Sequence, residues 1–352
     1  SSDLHRLVWE AMRDPIAPLA AHPAGVVALT RLVPAAPRPV HTVTDVPSVL
    51  FATSVALTDP TIRPGALYMG LLRELDLAGR CRARAIAQVS ADGLHAAYAR
   101  WRPDLVHLVA HGVRRADGGA AVLLAGERGV EEEADADALL AALGADGTRP
   151  LTVVLSVCHT GSPGERADGP EDAAPLAAQL VAGGVPIVSA MAGEVRESAC
   201  RLYTRRLASA VHAGQPGVTA SAHRRRAAPI GTAAPSADID WALPALYLAE
   251  YVDPGQRLVD AATATALTRL SDALDLRREP VFIGREEVLA AADAAVEPSS
   301  GVGVIAVTAK GPTSGMGGTR LLQEIGWRVL RDGHVPLLLG PYQDPWATPT
   351  TA

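Results

Sequence analysis

The chain has 352 residues, 48% of them apolar and 20% charged, which describes a folded polypeptide long enough for about two domains and excludes a disordered one. Its net charge of −6 argues against nucleic acid or an anionic membrane as the main partner. Three scattered cysteines, Cys81, Cys158 and Cys200, exclude a disulfide framework and a Cys-rich zinc site, and they suit a reducing, cytoplasmic location.

The opening Ser-Ser-Asp-Leu-His-Arg has no basic stretch followed by an apolar one, so no signal peptide is expected. No apolar run reaches the roughly 18 residues of a membrane-spanning helix. Residues 1–40 read as an N-terminal extension: a helical start over 4–12, a short apolar run at 25–30 and a Pro-rich joint. From there the pattern becomes regular. Apolar runs at 46–55, 84–89, 105–110, 151–157, 185–189 and 242–247 predict strands, and 120–124 predicts a short hairpin strand. Between them, 65–78, 94–101, 135–143, 176–182, 196–213 and 219–227 predict helices; in the first of these Leu67, Leu71, Leu72 and Leu75 form one stripe. Glu131-Glu-Glu reads as a solvated loop run, and Arg224-Arg-Arg as a solvated helix face. Segments 161–175 and 228–240 are rich in Gly, Pro and charge and predict surface loops. Strands apolar on both faces, alternating with helices, predict an α/β fold with a mainly parallel sheet covered on both sides, over 41–255. A linker over 256–280 and a second, partial α/β unit over 281–352 follow, the latter with strands at 303–308 and 335–339 and a helix at 319–330.

Two strand ends carry chemistry. His111-Gly112 closes one apolar run and Cys158 closes another. In an open parallel sheet the strand C-termini line the ligand crevice. An imidazole beside a thiol lowers the thiol's pKa and stores or delivers its proton. A glycine after the histidine lets backbone approach a reacting carbonyl with no Cβ in the way. The N–H groups of Gly112 and Cys158 together would form an oxyanion hole. The bland alternative is a small buried cysteine and a satisfied strand-end histidine. Turn chemistry after both residues (Gly112; Thr160-Gly161) and the polar loop beyond the cysteine favour the catalytic reading. His107 and His111 are four apart on a strand with no third ligand at a sensible spacing, so no metal is expected. No Gly-x-Ser-x-Gly elbow supports a serine hydrolase.

At these residues the chain resembles a known family. Leu105-Val-His-Leu-Val-Ala-His111-Gly112 and Pro150-Leu-Thr-Val-Val-Leu-Ser-Val-Cys158-His-Thr-Gly161 are similar to the two signature strands of the CHAT family, caspase-like cysteine peptidases of the separase and gingipain group. The segments 176–191 and 242–248 are similar to that family's post-cysteine helix and strand and to its closing strand. The resemblance implies a caspase-like αβα sandwich, with Cys158 as nucleophile and His111 as its base or imidazolium partner. It implies no third triad member and no cofactor for proteolysis. His159 departs from the small or acidic residue common in the family, which bears on substrate preference.

The second unit carries a glycine-rich loop. Gly315, Gly317, Gly318 and Thr319 stand where a phosphate-cradling P-loop would lie, but Gly318 occupies the place of the phosphate-binding lysine. Lys310, the only lysine in the chain, precedes the loop. Phe282-Ile-Gly284-Arg285-Glu286 resembles the entry segment of STAND-type signalling NTPases, which implies ATP and Mg²⁺ as cofactors of a longer protein and weak or absent binding here. The combined expectation is a cysteine endopeptidase of a bacterial signalling or defence system, programmed cell death included, taking a protein substrate. It would be activated by self-assembly through a C-terminal NTPase and sensor. A catalytically inactive scaffold or nucleotide-switch module that only binds partners stays open as the alternative.

Overall fold

The computed structural model describes residues 8–15, 19, 27–75, 81–115, 119–126, 130–144, 147–161, 174–226, 240, 242–274, 276, 285–296, 300–302, 304–307, 317–331 and 334–337. The chain divides near Ala261 into two compact units.

In the first unit the elements run β1 (Arg31–Val33), β2 (Ser48–Thr53), α1 (Pro64–Leu75), β3 (Arg82–Ile86), α2 (Ala91–Trp101) and β4 (Leu105–Val109). The strands β5 (His111–Arg114), β6 (Ala120–Ala125) and β7 (Glu131–Ala134) follow, then α3 (Ala136–Ala142) and β8 (Thr152–Ser156). The unit closes with α4 (Leu176–Ala182), β9 (Ile187–Met191), α5 (Glu197–His212), α6 (Gly217–Arg226) and β10 (Pro244–Ala249). Seven strands form one sheet in the order β1-β10-β9-β8-β4-β2-β3. From β3 to β9 every pairing is parallel; β10 runs antiparallel to β9 and parallel to β1. A separate antiparallel sheet holds β5, β6 and β7.

The strand side chains alternate between two apolar layers, as a sheet covered on both faces requires. Val49, Phe51, Leu105, Val109 and Val154 pack with Leu67, Leu71 and Leu75 of α1 and Ala208 of α5. Leu50, Ala52, Val106, Leu108, Val153 and Leu155 point the other way, into a larger core with Leu94 and Tyr98 of α2, Leu139 of α3 and Leu180 of α4. Local chemistry starts the helices. Ser90 caps α2 by accepting from the Gly93 N–H at 3.1 Å, and Asp135 caps α3 by accepting from Ala138 at 3.0 Å.

Several elements differ from the sequence reading. Residues 1–40 are not wholly an appendage, because β1 pairs with β10 at the sheet edge. Within the expected helical start, residues 9–11 form a single 3₁₀ turn. Glu131-Glu-Glu is a strand rather than a loop: it edges the small sheet with its carboxylates exposed, and the ladder to β6 decides its conformation. Of the expected loops 161–175 and 228–240, residues 162–173 and 228–239 lie outside the described residues.

The second unit contains most of α7 (Ala261–Ala273), which occupies part of the expected linker, and α8 (Glu286–Val296) and α9 (Gly318–Arg331). Leu289, Ala292, Leu321 and Ile325 share a small core with the partly buried Ile305 and Val307. Arg328 bonds Asp293 at 2.9 Å, joining α9 to α8. The described parts of the two expected strands, 304–307 and 335–337, join no ladder among the described residues. Val304, Val335 and Leu337 are exposed.

Candidate active site

The strands β4 and β8 lie side by side, with Val109 opposite Ser156 at their C-terminal ends. His111 and Cys158 each stand two residues beyond that pair in sequence. Val109 and Ser156 are buried, as are Ala110 and Val157, whereas His111, Gly112 and Cys158 are partly exposed. The chain becomes accessible at the residues the sequence singles out. After Ala110 it leaves the main sheet for β5, where His111 pairs with Leu123 and Gly112 with Val122. This bend brings Gly112 against the segment after β8. A Cβ on Gly112 would overlap the Cys158 carbonyl oxygen and lie 2.9 Å from Val157 Cγ1 and 3.1 Å from the Cys158 carbonyl carbon. The two segments are in backbone contact.

Cys158 sits in a tight turn fixed at almost every residue. The Thr160 hydroxyl donates to the Val157 carbonyl at 2.9 Å, closing it. The N–H groups of His159 and Gly161 donate to the carbonyls of Gly193 and Met191 at 3.3 and 2.8 Å, and the Thr160 carbonyl accepts from Ala177 at the start of α4 at 3.0 Å. His159 adopts φ 63°, a left-handed conformation uncommon for a residue with a Cβ. Such backbone persists where surrounding contacts over-determine it. Its Nε2 lies 3.6 Å from a carboxylate oxygen of the exposed Glu194.

Beneath the turn runs a buried polar chain that the sequence reading did not assemble. His107 Nε2 meets Ser156 Oγ at 2.7 Å, and that hydroxyl lies 3.4 Å from Thr204 Oγ1 on α5. Burial drives the His107 pKa down to about 3, so the ring is neutral. It stands edge-on to Phe51, with centroids 5.2 Å apart. Burial pushes the Cys200 thiol up to about 11, against smaller opposing contributions from hydrogen bonds to Ser156 and Thr204. Cys81 is buried in the α1 layer. Cys158 and Cys200 are both partly exposed, and Cys158 alone lies in the turn at the strand end.

A second buried chain reaches the turn from the sheet edge. The Tyr247 hydroxyl of β10 donates to the Gly161 carbonyl at 2.8 Å, and Arg31 and Glu10 stand behind it. The partners are far apart in sequence, and the sole local sign is Arg31 beside Thr30 in the otherwise apolar Val26–Val33 stretch.

Among the described residues no cluster of His, Cys, Asp and Glu is arranged to hold a metal ion. No described helix is long and apolar enough to cross a membrane. In the second unit Gly317 adopts φ 76° and Gly318 and Thr319 open α9; Gly315 and Lys310 lie outside the described residues.

The sheet, its helical layers and the two strand ends define an α/β protein of caspase-like architecture. The CHAT domain family matches residues 3–249, and the chain belongs to that family. No curated protein matches the sequence.

Proposed function

We propose that the chain is a cysteine endopeptidase using a His111–Cys158 dyad. The observation that carries this reading is the register: both residues stand two beyond the Val109–Ser156 pair of adjacent parallel strands. Membership of a family of caspase-like peptidases supports it. In the mechanism, His111 takes the thiol proton, and the Cys158 thiolate attacks the substrate carbonyl carbon to give a tetrahedral oxyanion. The N–H groups of Gly112 and Cys158 stabilise that oxyanion. The protonated His111 then delivers its proton to the leaving amine as the C–N bond breaks, which leaves a thioester on Cys158. Water, giving a proton to His111, attacks that carbonyl, the C–S bond breaks to release the acid, and the thiol regains its proton.

The wider reading assigns the peptidase to residues 41–255, extended by β1. It assigns residues 281–352 to the start of a STAND-type NTPase domain with an altered P-loop. The protein would be a cytoplasmic effector of bacterial signalling or defence, with a protein substrate and an activating oligomer. ATP and Mg²⁺ would belong to the longer protein's switch.

The test combines turnover and labelling. The chain is incubated with a diverse peptide library, and cleavage is followed for wild type, Cys158→Ala and His111→Ala. Cleavage by wild type alone is the expected result; undiminished cleavage by Cys158→Ala overturns the assignment. In parallel, iodoacetamide at pH 7.5 should label Cys158 at least 100-fold faster than Cys200, whose thiolate fraction at a pKa of about 11 is of order 10⁻⁴. Equal labelling of both, with no cleavage, would leave the inactive scaffold as the better reading.

A further inference from the structure

We propose that Tyr247 is a positioning residue for Cys158, and that Arg31 and Glu10 aim its hydroxyl. The proposal rests on the reading of Cys158 as nucleophile.

Gly161 closes the cysteine turn and is held from both sides. Its N–H donates to Met191 of β9 at 2.8 Å, and its carbonyl accepts from Tyr247 of β10 at 2.8 Å. The turn is thereby fastened to two strands that contribute neither dyad residue. Tyr247 is 0% exposed, so no water replaces that donor if it is lost.

The direction of the hydroxyl proton is determined by chemistry. Arg31 lies directly opposite Tyr247 in the β1–β10 register, with its guanidinium 5.5 Å from the phenol ring centroid. Its Nη1 approaches the Tyr247 oxygen at 3.3 Å. A guanidinium only donates and a phenol has a single proton. Tyr247 therefore accepts from Arg31 and must donate elsewhere, and the Gly161 carbonyl is there to receive it. Arg31 is held in turn by Glu10, at 3.0 Å from Nη2 and 3.4 Å from Nε, in a forked arrangement. Burial pushes the Tyr247 pKa up to about 12, so the phenol keeps its proton across the working pH range.

Stability alone does not explain these residues. Arg31 is 6% exposed and Glu10 0%, and a buried ion pair is commonly no more stabilising than apolar side chains of the same volume. What the pair supplies that apolar residues would not is a fixed direction for one hydrogen bond.

The experiment is Tyr247→Phe in the full chain, with two readouts. The first is iodoacetamide labelling of each cysteine, which needs no substrate. The second is kcat and KM on a cleaved library peptide. Labelling of Cys158 should slow about tenfold while Cys81 and Cys200 are unchanged, and kcat should fall similarly with KM preserved. Wild-type labelling and kcat in Tyr247→Phe overturn the proposal, as does an equal change at all three cysteines, which reports global loosening. If Tyr247→Phe does not fold, a Glu10→Leu/Arg31→Met double variant decides. It leaves Tyr247 in place without its orienting partner and should slow Cys158 selectively; wild-type labelling there overturns the proposal. If wild type cleaves nothing while Tyr247→Phe still slows Cys158 labelling, the positioning role stands and the peptidase reading falls.

Discussion

Gly112 and Cys158 meet backbone to backbone: a methyl group on Gly112 would overlap the Cys158 carbonyl oxygen. The glycine is required by space rather than by dihedral freedom, since it sits in the β5 ladder opposite Val122. Its neighbour His111 and its contact Cys158 are the two residues assigned to chemistry. One close approach thus sets their relative position.

Gly112→Ala should therefore act on both fold and turnover. The clash is with backbone and with Val157, neither of which has a flexible end to move aside. Overpacking of this kind costs about 1–3 kcal/mol. The folded fraction of the variant should lose at least 100-fold in kcat, because the dyad and the proposed oxyanion donors are all displaced. Urea unfolding and single-peptide kinetics measure the two effects separately.

His159 offers a test of backbone strain. At φ 63° a β-branched side chain is much worse placed than histidine, and glycine is better placed. His159→Val should destabilise by about 1–3 kcal/mol. His159→Gly should stay within about 1 kcal/mol of wild type, because relief of strain offsets the extra freedom of the unfolded chain. Paired urea titrations check this. Equal stability of the Gly and Val variants would show that the left-handed turn is not maintained.

The altered glycine loop makes a prediction about gain rather than loss. A Cβ on Gly318 would meet nothing within 4 Å among the described residues, which leaves room for a longer side chain at the start of α9. The wild-type chain lacks an ammonium there and should bind Mg²⁺–ATP more weakly than micromolar. Gly318→Lys supplies the missing charge and should raise affinity at least tenfold by titration calorimetry. Micromolar binding by wild type would show that the loop needs no lysine at this place.

The parallel strands and the dyad candidates were legible because each apolar run ends at a turn residue, and strand ends of this fold face the crevice. Strand β1 was not, because three residues just before the Pro-rich joint carry too little periodicity. Nor was β7: three consecutive exposed carboxylates lack alternation, and pairing with β6 alone makes them a strand. The opposite difference falls at 303–308 and 335–339, where apolar composition predicts strands and the described residues 304–307 and 335–337 join no ladder among the described residues. The chain from Glu10 through Arg31 to Tyr247 was invisible for a further reason. Its links span 21 and 216 residues, and a side-chain bond of that range leaves no local pattern.

His107 sets an acid limit on the fold. Its ring is buried between Ser156 and Phe51, and burial lowers its pKa from 6.5 to about 3. In the unfolded chain the same ring is in water and takes a proton near its ordinary value. Between about pH 6.5 and pH 3 the unfolded state therefore binds more protons than the folded one. Unfolding free energy rises with pH through that window, and the contribution is fully present above pH 6.5. Each unit below it should remove up to about 1.4 kcal/mol, or about 2 kcal/mol by pH 5. His107→Gln keeps a hydrogen-bonding group beside Ser156 but does not titrate. It should be less stable than wild type at pH 7.5, with a shallower decline toward pH 5. Urea unfolding of both proteins at half-unit steps from pH 7.5 to 5 gives the difference in slope. Parallel curves would mean that His107 takes up its proton equally in the folded and unfolded protein and that its burial does not control the acid transition.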